Sequence, residues 1–484
     1  MSEKVRTRFA PSPTGYMHIG NLRSALYGYL FAKKNGGEFI LRIEDTDQGR
    51  YVDGAVQIIY DTLRDAGIEY TEGPDKGGPY GPYMQSQRKE IYMEYAKKLI
   101  ETGAAYYCFC TPERLASMKD TSVQDANGVT RYDKHCLSLS KEEVEEKLKA
   151  GVPFVIRQNI PAEGKGTYHD MVFGEVTVDY KDMEDGILIK SDGMPTYNFA
   201  NVVDDHLMHI NYVIRGVEYL SSTPKYNLMY DAFGWERPHY MHLSPVMKDA
   251  QHKLSKRNGD ASYEDLVQKG YIKEAILNYI ALLGWAPKDN SEKMTLAEMI
   301  DKFSVDGLSK SPSIYDEAKL RWLSGEYVKE MSEEEFLKRA EPFIAKSKAY
   351  GKYDVKLLAK LLQPRTEVLG DIPAKIDFLE EYGAFDLALY DNKKQKCSAE
   401  VAKNILPALL DEMRGWEDYT NAALYEKLVA FAAERGVKNG QVLWCLRIAL
   451  TGTAVTPGGA SEMAELLGKE RCIDRLGRAI ANLR

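Results

Sequence analysis

A short run ending at Phe9 reads as a strand, and the residues after it forbid regular structure, because Pro11, Pro13 and Gly15 interrupt any ladder or helix. Ile19, Leu22, Ala25, Leu26 and Leu30 then recur at helical spacing, so a helix begins near His18. A second apolar run, residues 39–43, ends in Glu44-Asp45-Thr46-Asp47, and Val56, Ile59, Tyr60 and Leu63 again recur helically. Strand, helix, strand, helix is the opening of a parallel, doubly wound sheet. In such sheets ligands sit beyond the C-terminal ends of the strands, where the loop after Phe9 and Glu44 both fall.

Gly73-Pro74 and Gly77-Gly78-Pro79-Tyr80-Gly81-Pro82 form a rigid connection, followed by a helix carrying Tyr92, Tyr95, Ala96 and Leu99. From about 105 to 180 the texture is polar. Asn127-Gly128 and Gly164-Lys165-Gly166 read as turns, Ser140 with Glu143 as a helix capping box, and Pro153-Phe154-Val155-Ile156-Arg157 as a strand. This stretch is expected to be a domain inserted into the sheet domain, which resumes with Gly186-Ile187-Leu188-Ile189-Lys190. A helix from Thr196 places Tyr197 and Asn201 one turn apart on one face. A further strand, Tyr212-Val213-Ile214, ends in Arg215 and Gly216 at the ligand edge. Beyond about Ser332 the pattern is almost wholly helical.

With 484 residues, 44% apolar and 28% charged, the chain has the composition of a multidomain globular protein. It has no run of 18 apolar residues, and the opening Met-Ser-Glu-Lys-Val-Arg has no apolar signal segment, so a cytoplasmic protein is expected. Six irregularly spaced cysteines do not make a disulfide framework. The net charge of −8 argues mildly against a nucleic-acid partner. Any such contact would rely on local patches such as residues 435–484, with eight Lys/Arg against four Asp/Glu, although an ordinary solvated helix surface looks similar.

Strand, tight loop and helix start together make an anion site, since the first-turn N–H groups and the positive helix end converge there. Gly20 lets a ligand approach the backbone and His18 adds a donor. A second cationic stretch, Lys253-Leu254-Ser255-Lys256-Arg257-Asn258-Gly259, lies about 235 residues later. Alone, each motif has a bland alternative: a structural histidine and a solvated loop. Glu44 has one as well, a helix-capping carboxylate.

The pair, with Ser191-Asp192-Gly193-Met194-Pro195-Thr196-Tyr197-Asn198-Phe199-Ala200-Asn201 between them, resembles the HIGH and KMSKS signatures of class I aminoacyl-tRNA synthetases. Arg8-Phe9-Ala10-Pro11-Ser12-Pro13-Thr14-Gly15 is similar to the glutamyl branch in particular. Asn21 stands for the second histidine of the first motif, Leu254 for the methionine of the second, and Arg257 in its final place. The resemblance covers the whole chain and implies ATP-dependent activation of L-glutamate, then transfer to the terminal adenosine of glutamate tRNA. It implies an α/β fold, a Rossmann-type doubly wound parallel sheet with an inserted α/β domain, followed by an all-α anticodon-binding region. The expected segments are 1–104 and 181–220 for the two sheet halves, 105–180 for an acceptor-stem insert, and 221–327 for a stem-contact region. The helical part is 328–484, with a subdomain boundary near 384.

Carried over residue by residue, His18 and the helix start hold the ATP phosphates with Gly20 and Asn21. Lys256 steadies the departing pyrophosphate, assisted by Lys253 and Arg257, and Tyr219 stands where the family stacks adenine. Arg8, Ala10, Ser12, Glu44, Tyr197, Asn201, Arg215 and Glu218 line the glutamate pocket, in which arginine is the bidentate partner for a carboxylate and Glu44 holds the ammonium. Mg²⁺ accompanies ATP through phosphates and water, without a dedicated cage. The partners implied are L-glutamate, ATP and tRNA, with the protein a monomer and no membrane involved.

Some relatives carry a zinc knuckle where Cys108-Phe109-Cys110 and Cys136 lie. Here the fourth position is Ser138, a poor ligand, and His135 has the wrong offset. A reduced remnant with buried thiols is the favoured reading and zinc the alternative. In Leu361-Leu362-Gln363-Pro364-Arg365, strict relatives carry arginine at the place of Gln363, which helps them tell the third anticodon base of glutamate tRNA (cytosine) from that of glutamine tRNA (guanine). An uncharged amide with both donor and acceptor would tolerate either base, so glutamine tRNA is a candidate second substrate. A surface glutamine compensated by neighbours such as Arg365 is the alternative. The rivals are a glutaminyl enzyme, a queuosine-glutamylating enzyme, and an RNA-binding relative without catalysis. The helical C-terminus disfavours the first two, and His18, Lys253 and Lys256 disfavour the third.

Overall fold

The structure is a computed structural model that describes residues 4–47, 49, 52–121, 132–252, 254 and 262–483. It divides into two compact units, Met1–Asp265 with Leu277–Asp316, and Leu266–Ile276 with Glu317–Arg484. The expected Asn127-Gly128 turn lies outside the described residues.

In the first unit β1 (Arg6–Phe9) feeds α1 (Ile19–Lys34), and β2 (Glu38–Leu41) returns parallel to β1, with Arg6 opposite Glu38 and Phe9 opposite Leu41. α1 is buried on most of its faces, at Leu22, Ala25, Leu26, Tyr29 and Leu30 among others, as a helix covered by both sheet and neighbouring chain should be. α2 (Ala55–Asp65) and α3 (Lys89–Glu101) follow. β3 (Ala105–Cys108), α4 (Pro112–Thr121), α5 (Lys141–Lys149), β4 (Val155–Gln158), β5 (Lys165–Asp170) and β6 (Gly174–Asp179) then precede β7 (Ile187–Ile189). α5 has the expected capping box, Glu143 N–H to Ser140 Oγ at 3.2 Å and Ser140 N–H to Glu143 Oε2 at 2.7 Å.

Two local expectations fail. Lys165 and Gly166 are not in a turn but begin β5, where a side chain at Gly166 would meet Pro224 at 2.5 Å. The reversal between β5 and β6 comes later, and Asp170 caps it by accepting from the N–H groups of Val172 and Phe173. β7 does not resume the parallel sheet. It pairs antiparallel with β4, which pairs antiparallel with β3. An apolar triple records burial but not partner, and Leu188 and Ile189 are buried against α3 and the two helices that follow.

Those helices are α6 (Tyr197–Leu207) and α7 (Thr223–Phe233); β8 (Tyr212–Gly216) and β9 (His239–Leu243) form a four-stranded sheet with β5 and β6, in the order β6-β5-β9-β8. β8 and β9 run parallel from Tyr212 opposite His239 to Gly216 opposite Leu243, and β9 also meets β5 in parallel at Tyr240 and Asp170. β1 lies beside β8, with Asn211 N–H bonded to Arg6 O at 3.3 Å. The β5–β6 hairpin therefore shares a sheet with β8, whose end carries Arg215.

The second unit is helical, with long helices Glu317–Glu330, Ala399–Gly415, Asn421–Glu434, Asn439–Thr451 and Ala460–Asn482. Leu406, Met413, Leu446, Met463 and Leu476 are fully buried within it. Among the described residues no helix is long and apolar enough to cross a membrane.

Candidate active site

The carboxyl ends of β1, β2 and β8 and the start of α1 surround a cavity of about 1000 Å³. The proline loop after β1 is tied to the chain beyond β2, since Arg42 N–H bonds to Phe9 O and Glu44 N–H to Pro11 O, both at 3.0 Å. His18 is the N-cap of α1, and its Nδ1 accepts the Gly20 N–H at 3.1 Å. A neutral imidazole that accepts at Nδ1 carries its hydrogen on Nε2, the donor an anion requires. A side chain at Gly20 would lie 3.2 Å from that Nδ1, so glycine keeps the helix mouth open.

Arg8, Ala10, Ser12, His18, Gly20, Asn21, Glu44, Tyr197, Arg215, Glu218 and Tyr219 all line the cavity. Asn201 does not: it is buried on α6 and donates to Tyr197 O at 2.8 Å, one turn back. Lys253, Lys256 and Arg257 lie outside the described residues, but Leu254 between them is part of the cavity wall. Lys190, which pattern alone did not single out, reaches the cavity and donates to Thr46 O at 3.1 Å.

Behind the cavity runs a ladder of buried charge. Arg42, fully buried, bonds to Asp205 at 2.7 Å and Glu44 at 3.0 Å, with Asp204 at 3.7 Å. Arg8 grips both oxygens of Asp205, at 3.0 and 3.3 Å, and bonds to Ile214 O at 3.3 Å, which leaves two of its five N–H groups. Arg88 bonds to Asp204 at 2.7 Å, and Gln85 and Tyr92 also donate to Asp204. Three cations thus meet three carboxylates, the condition under which burial of charge is tolerable. Burial works to raise the Asp205 carboxyl, but Arg8 and Arg42 outweigh it and hold the group below the usual range. Glu44 comes out the other way: burial pushes it up to about 7 against the pull of Arg42 and Arg8. The signal for this ladder was present in Asp204-Asp205, two acids on a helix whose neighbouring positions, Phe199, Ala200, Val202 and Val203, are apolar.

Arg215 is different. Its side chain is buried, with Nε on His242 Nε2 at 3.2 Å and Nη2 on Thr223 Oγ1 at 2.8 Å. The guanidinium lies 4.7 Å from the Tyr226 ring centre, 5.1 Å from Tyr219 and 5.5 Å from Tyr240. No carboxylate of a described residue pairs with it. Tyr219 also packs against Tyr197, ring centres 5.2 Å apart.

Away from the cavity, the sulfur atoms of Cys108, Cys110 and Cys136 come within 4.8 Å of one another. The fourth member of the group is not Ser138, which is exposed and donates to His135 O. It is Tyr132, whose Oη lies 3.3 Å from Cys108 Sγ and 3.2 Å from Cys110 Sγ. Burial opposes ionisation of Cys108, but bonds to Tyr132 and Arg157 overcome it and bring the thiol below its ordinary value; burial pushes Cys110 up to about 11. The three thiols are the expected ones, and the oxygen beside them belongs to Tyr132, four positions before Cys136, and not to Ser138.

In the helical unit Gln363 uses both amide hydrogens on the backbone, on Val328 O at 3.0 Å and Met331 O at 2.7 Å. It therefore offers an acceptor alone, not both a donor and an acceptor. Arg365 bonds to Pro457 O and, at 3.5 Å, to Leu361 O.

Residues 4–322 match the family model described as tRNA synthetases class I (E and Q), catalytic domain, and residues 335–480 match that of an anticodon binding domain. The chain is 54% identical over 489 residues to the glutamate–tRNA ligase of Clostridium botulinum (strain Eklund 17B / Type B), covering 100% of each. It is 54% identical over 486 residues to that of Clostridium novyi (strain NT), covering 100% of the chain and 99% of the relative. The crystal structure of a glutamate tRNA ligase from Elizabethkingia meningosepticum, in complex with its amino acid, superposes with a TM-score of 0.88 at 35% identity over 100% of both chains.

Proposed function

The chain belongs to the class I tRNA synthetases of the glutamate and glutamine type and is a glutamate–tRNA ligase, and from that premise we propose how its residues divide the work. The α-carboxylate of glutamate attacks the α-phosphorus of ATP, pyrophosphate departs, and glutamyl-adenylate forms. A ribose hydroxyl at the tRNA end then attacks the acyl carbon and releases AMP. Positioning and charge supply most of the acceleration in such steps. Enzymes of this type use Mg²⁺ with ATP, and the ion offsets charge on the phosphates.

The observation that carries the substrate reading is Arg215, a buried cation that pairs with no carboxylate of a described residue. The substrate's side-chain carboxylate is unchanged throughout the reaction, so it is the group to clamp; Arg215 receives it, with the two remaining N–H groups of Arg8 beside it. Glu44 receives the ammonium and is ionised by it. Glutamine would leave the Arg215 charge facing a neutral amide, a costly arrangement in a buried site. His18 and the start of α1 hold the phosphates, Tyr219 flanks the nucleotide, and Lys256, with Lys253 and Arg257, faces the leaving pyrophosphate.

Two further assignments extend this reading. Gln363, as an acceptor alone, can take a hydrogen from the cytosine amino group or from the guanine Watson–Crick edge, which supports glutamylation of glutamine tRNA as well. Three thiols and the Tyr132 phenol fit a four-coordinate zinc ion that would fasten the inserted domain and take no part in the chemistry. The test is aminoacylation with labelled glutamate on purified glutamate tRNA and glutamine tRNA separately. Charging of both is expected. Charging of glutamate tRNA alone would remove the Gln363 assignment, and charging of neither by folded enzyme would overturn the division of roles.

A further inference from the structure

Arg215 bonds to His242, and His242 bonds in turn to Asp170, 72 positions earlier in the chain. His242, on β9, and Asp170, at the end of β5 in the inserted hairpin, are both fully buried. The parallel contact of β5 and β9 places Asp170 opposite Tyr240 and brings its carboxylate under His242. Asp170 Oδ2 accepts the His242 Nδ1–H at 2.7 Å and the His242 backbone N–H at 3.1 Å. Its Oδ1 accepts from Val172 and Phe173, at 2.9 and 2.8 Å. Four hydrogens directed at one carboxylate require it to be ionised and acceptor-only. The hydrogen of His242 therefore sits on Nδ1, and the Nε2 lone pair is left to accept Arg215 Nε–H at 3.2 Å. A second proton on the ring would face that N–H directly. Burial and Arg215 both lower the affinity of His242 for it.

We propose that Asp170 and His242 are positioning residues that fix the guanidinium of Arg215 without neutralising it, and so determine the preference for glutamate over glutamine. This rests on the reading that Arg215 meets the substrate's carboxylate. A carboxylate in direct contact would orient the guanidinium equally well but would also compensate its charge, as Asp205 does for Arg8. Interposing a neutral imidazole keeps the geometry and moves the negative charge back by the width of a ring. Thr223 Oγ1 is the second neutral acceptor, and it is held by donating to Tyr219 O at 2.9 Å. With Nε and one Nη2 hydrogen engaged, three N–H groups of Arg215 remain for a ligand.

Three variants of the full-length enzyme test this in aminoacylation, with KM for glutamate, KM for ATP and kcat measured separately and folding checked by thermal unfolding. His242→Asn keeps a donor near the Nδ1 position for Asp170 but offers nothing to Arg215. We expect KM for glutamate to rise about tenfold or more, with KM for ATP within about twofold. Asp170→Asn places an amide donor where Oδ2 accepts, which reverses the imidazole tautomer and turns an N–H toward Arg215, so the same selective rise follows. His242→Gln can place its amide oxygen near Nε2 and should restore most of the affinity. A folded His242→Asn enzyme with unchanged KM for glutamate overturns the proposal. So does a His242→Gln enzyme as impaired as His242→Asn, since packing and not acceptance would then be at work. If His242→Asn fails to fold, Asp170→Asn decides by the same criterion. Arg215→Gln separates the two levels. Should it leave KM for glutamate unchanged, the reading of Arg215 fails; should it raise KM while the relay variants do not, only the relay fails.

Discussion

Replacing Glu44 by glutamine should stabilise the protein and disable it, with both effects traceable to one buried carboxylate. In the folded protein burial raises this group from 4.5 to about 7. Between those pH values the native state holds a proton that the unfolded chain has released, so native stability falls as pH rises through the window. The slope is 1.36 kcal/mol per pH unit, and the total is about 3 kcal/mol, complete above about pH 7.5. Glu44→Gln has no such proton, and its amide oxygen can still accept from Arg42 Nη2, now at 3.0 Å, while Arg42 keeps Asp205 at 2.7 Å. The variant should therefore match the natural protein near pH 4.5 and exceed it by about 3 kcal/mol at pH 8 in urea unfolding. At pH 8 the substrate ammonium would lose its counter-charge, and removal of one partner of a buried ion pair is worth about 3–5 kcal/mol, so kcat/KM for glutamate should fall roughly a hundredfold to several thousandfold. A variant less stable than the natural protein at pH 8, or one with unimpaired kcat/KM, would refute the reasoning.

The same group predicts a pH profile: log kcat/KM for glutamate should fall with unit slope below about pH 7 as Glu44 takes up its proton, and that limb should be absent in Glu44→Gln. Elemental analysis of protein purified without chelator should find one zinc per chain, lost in Cys136→Ser; a zinc-free protein whose unfolding temperature is unmoved by added zinc would contradict the assignment. Gln363→Arg should reduce glutamylation of glutamine tRNA about tenfold or more while glutamate tRNA changes by less than about threefold; equal losses on both would show that position 363 does not read the anticodon.

What was legible beforehand is what local chemistry writes into consecutive residues. The proline loop, His18 at the head of α1 and the strand ends at Phe9 and Ile214 mark the ligand edge without any knowledge of partners, and they do surround the cavity. What depends on pairing between distant segments was not legible. Ile187-Leu188-Ile189 is as apolar as a parallel core strand but pairs antiparallel with β4. Asn201 has the spacing of a site residue, yet its amide is used within its own helix. Gln363 looks bifunctional until two backbone carbonyls take its hydrogens. Ser138 had the offset of a ligand, but the fold brings Tyr132 to the sulfurs instead. Asp170 and His242 are separated by 72 residues, and only the β5–β9 contact reveals them as a pair.

The central claim is that the cavity sorts amino acids by charge, with Glu44 for the ammonium and, for the side-chain carboxylate, Arg215, which no carboxylate of a described residue contacts directly. Its most direct test is the ratio of kcat/KM for glutamate to that for glutamine, measured with glutamate tRNA at pH 7.5. The account predicts a ratio of about 10⁴ or more, since a buried charged donor is left unpaired by the neutral amide. A ratio within about a hundredfold, from enzyme active with glutamate, would contradict it.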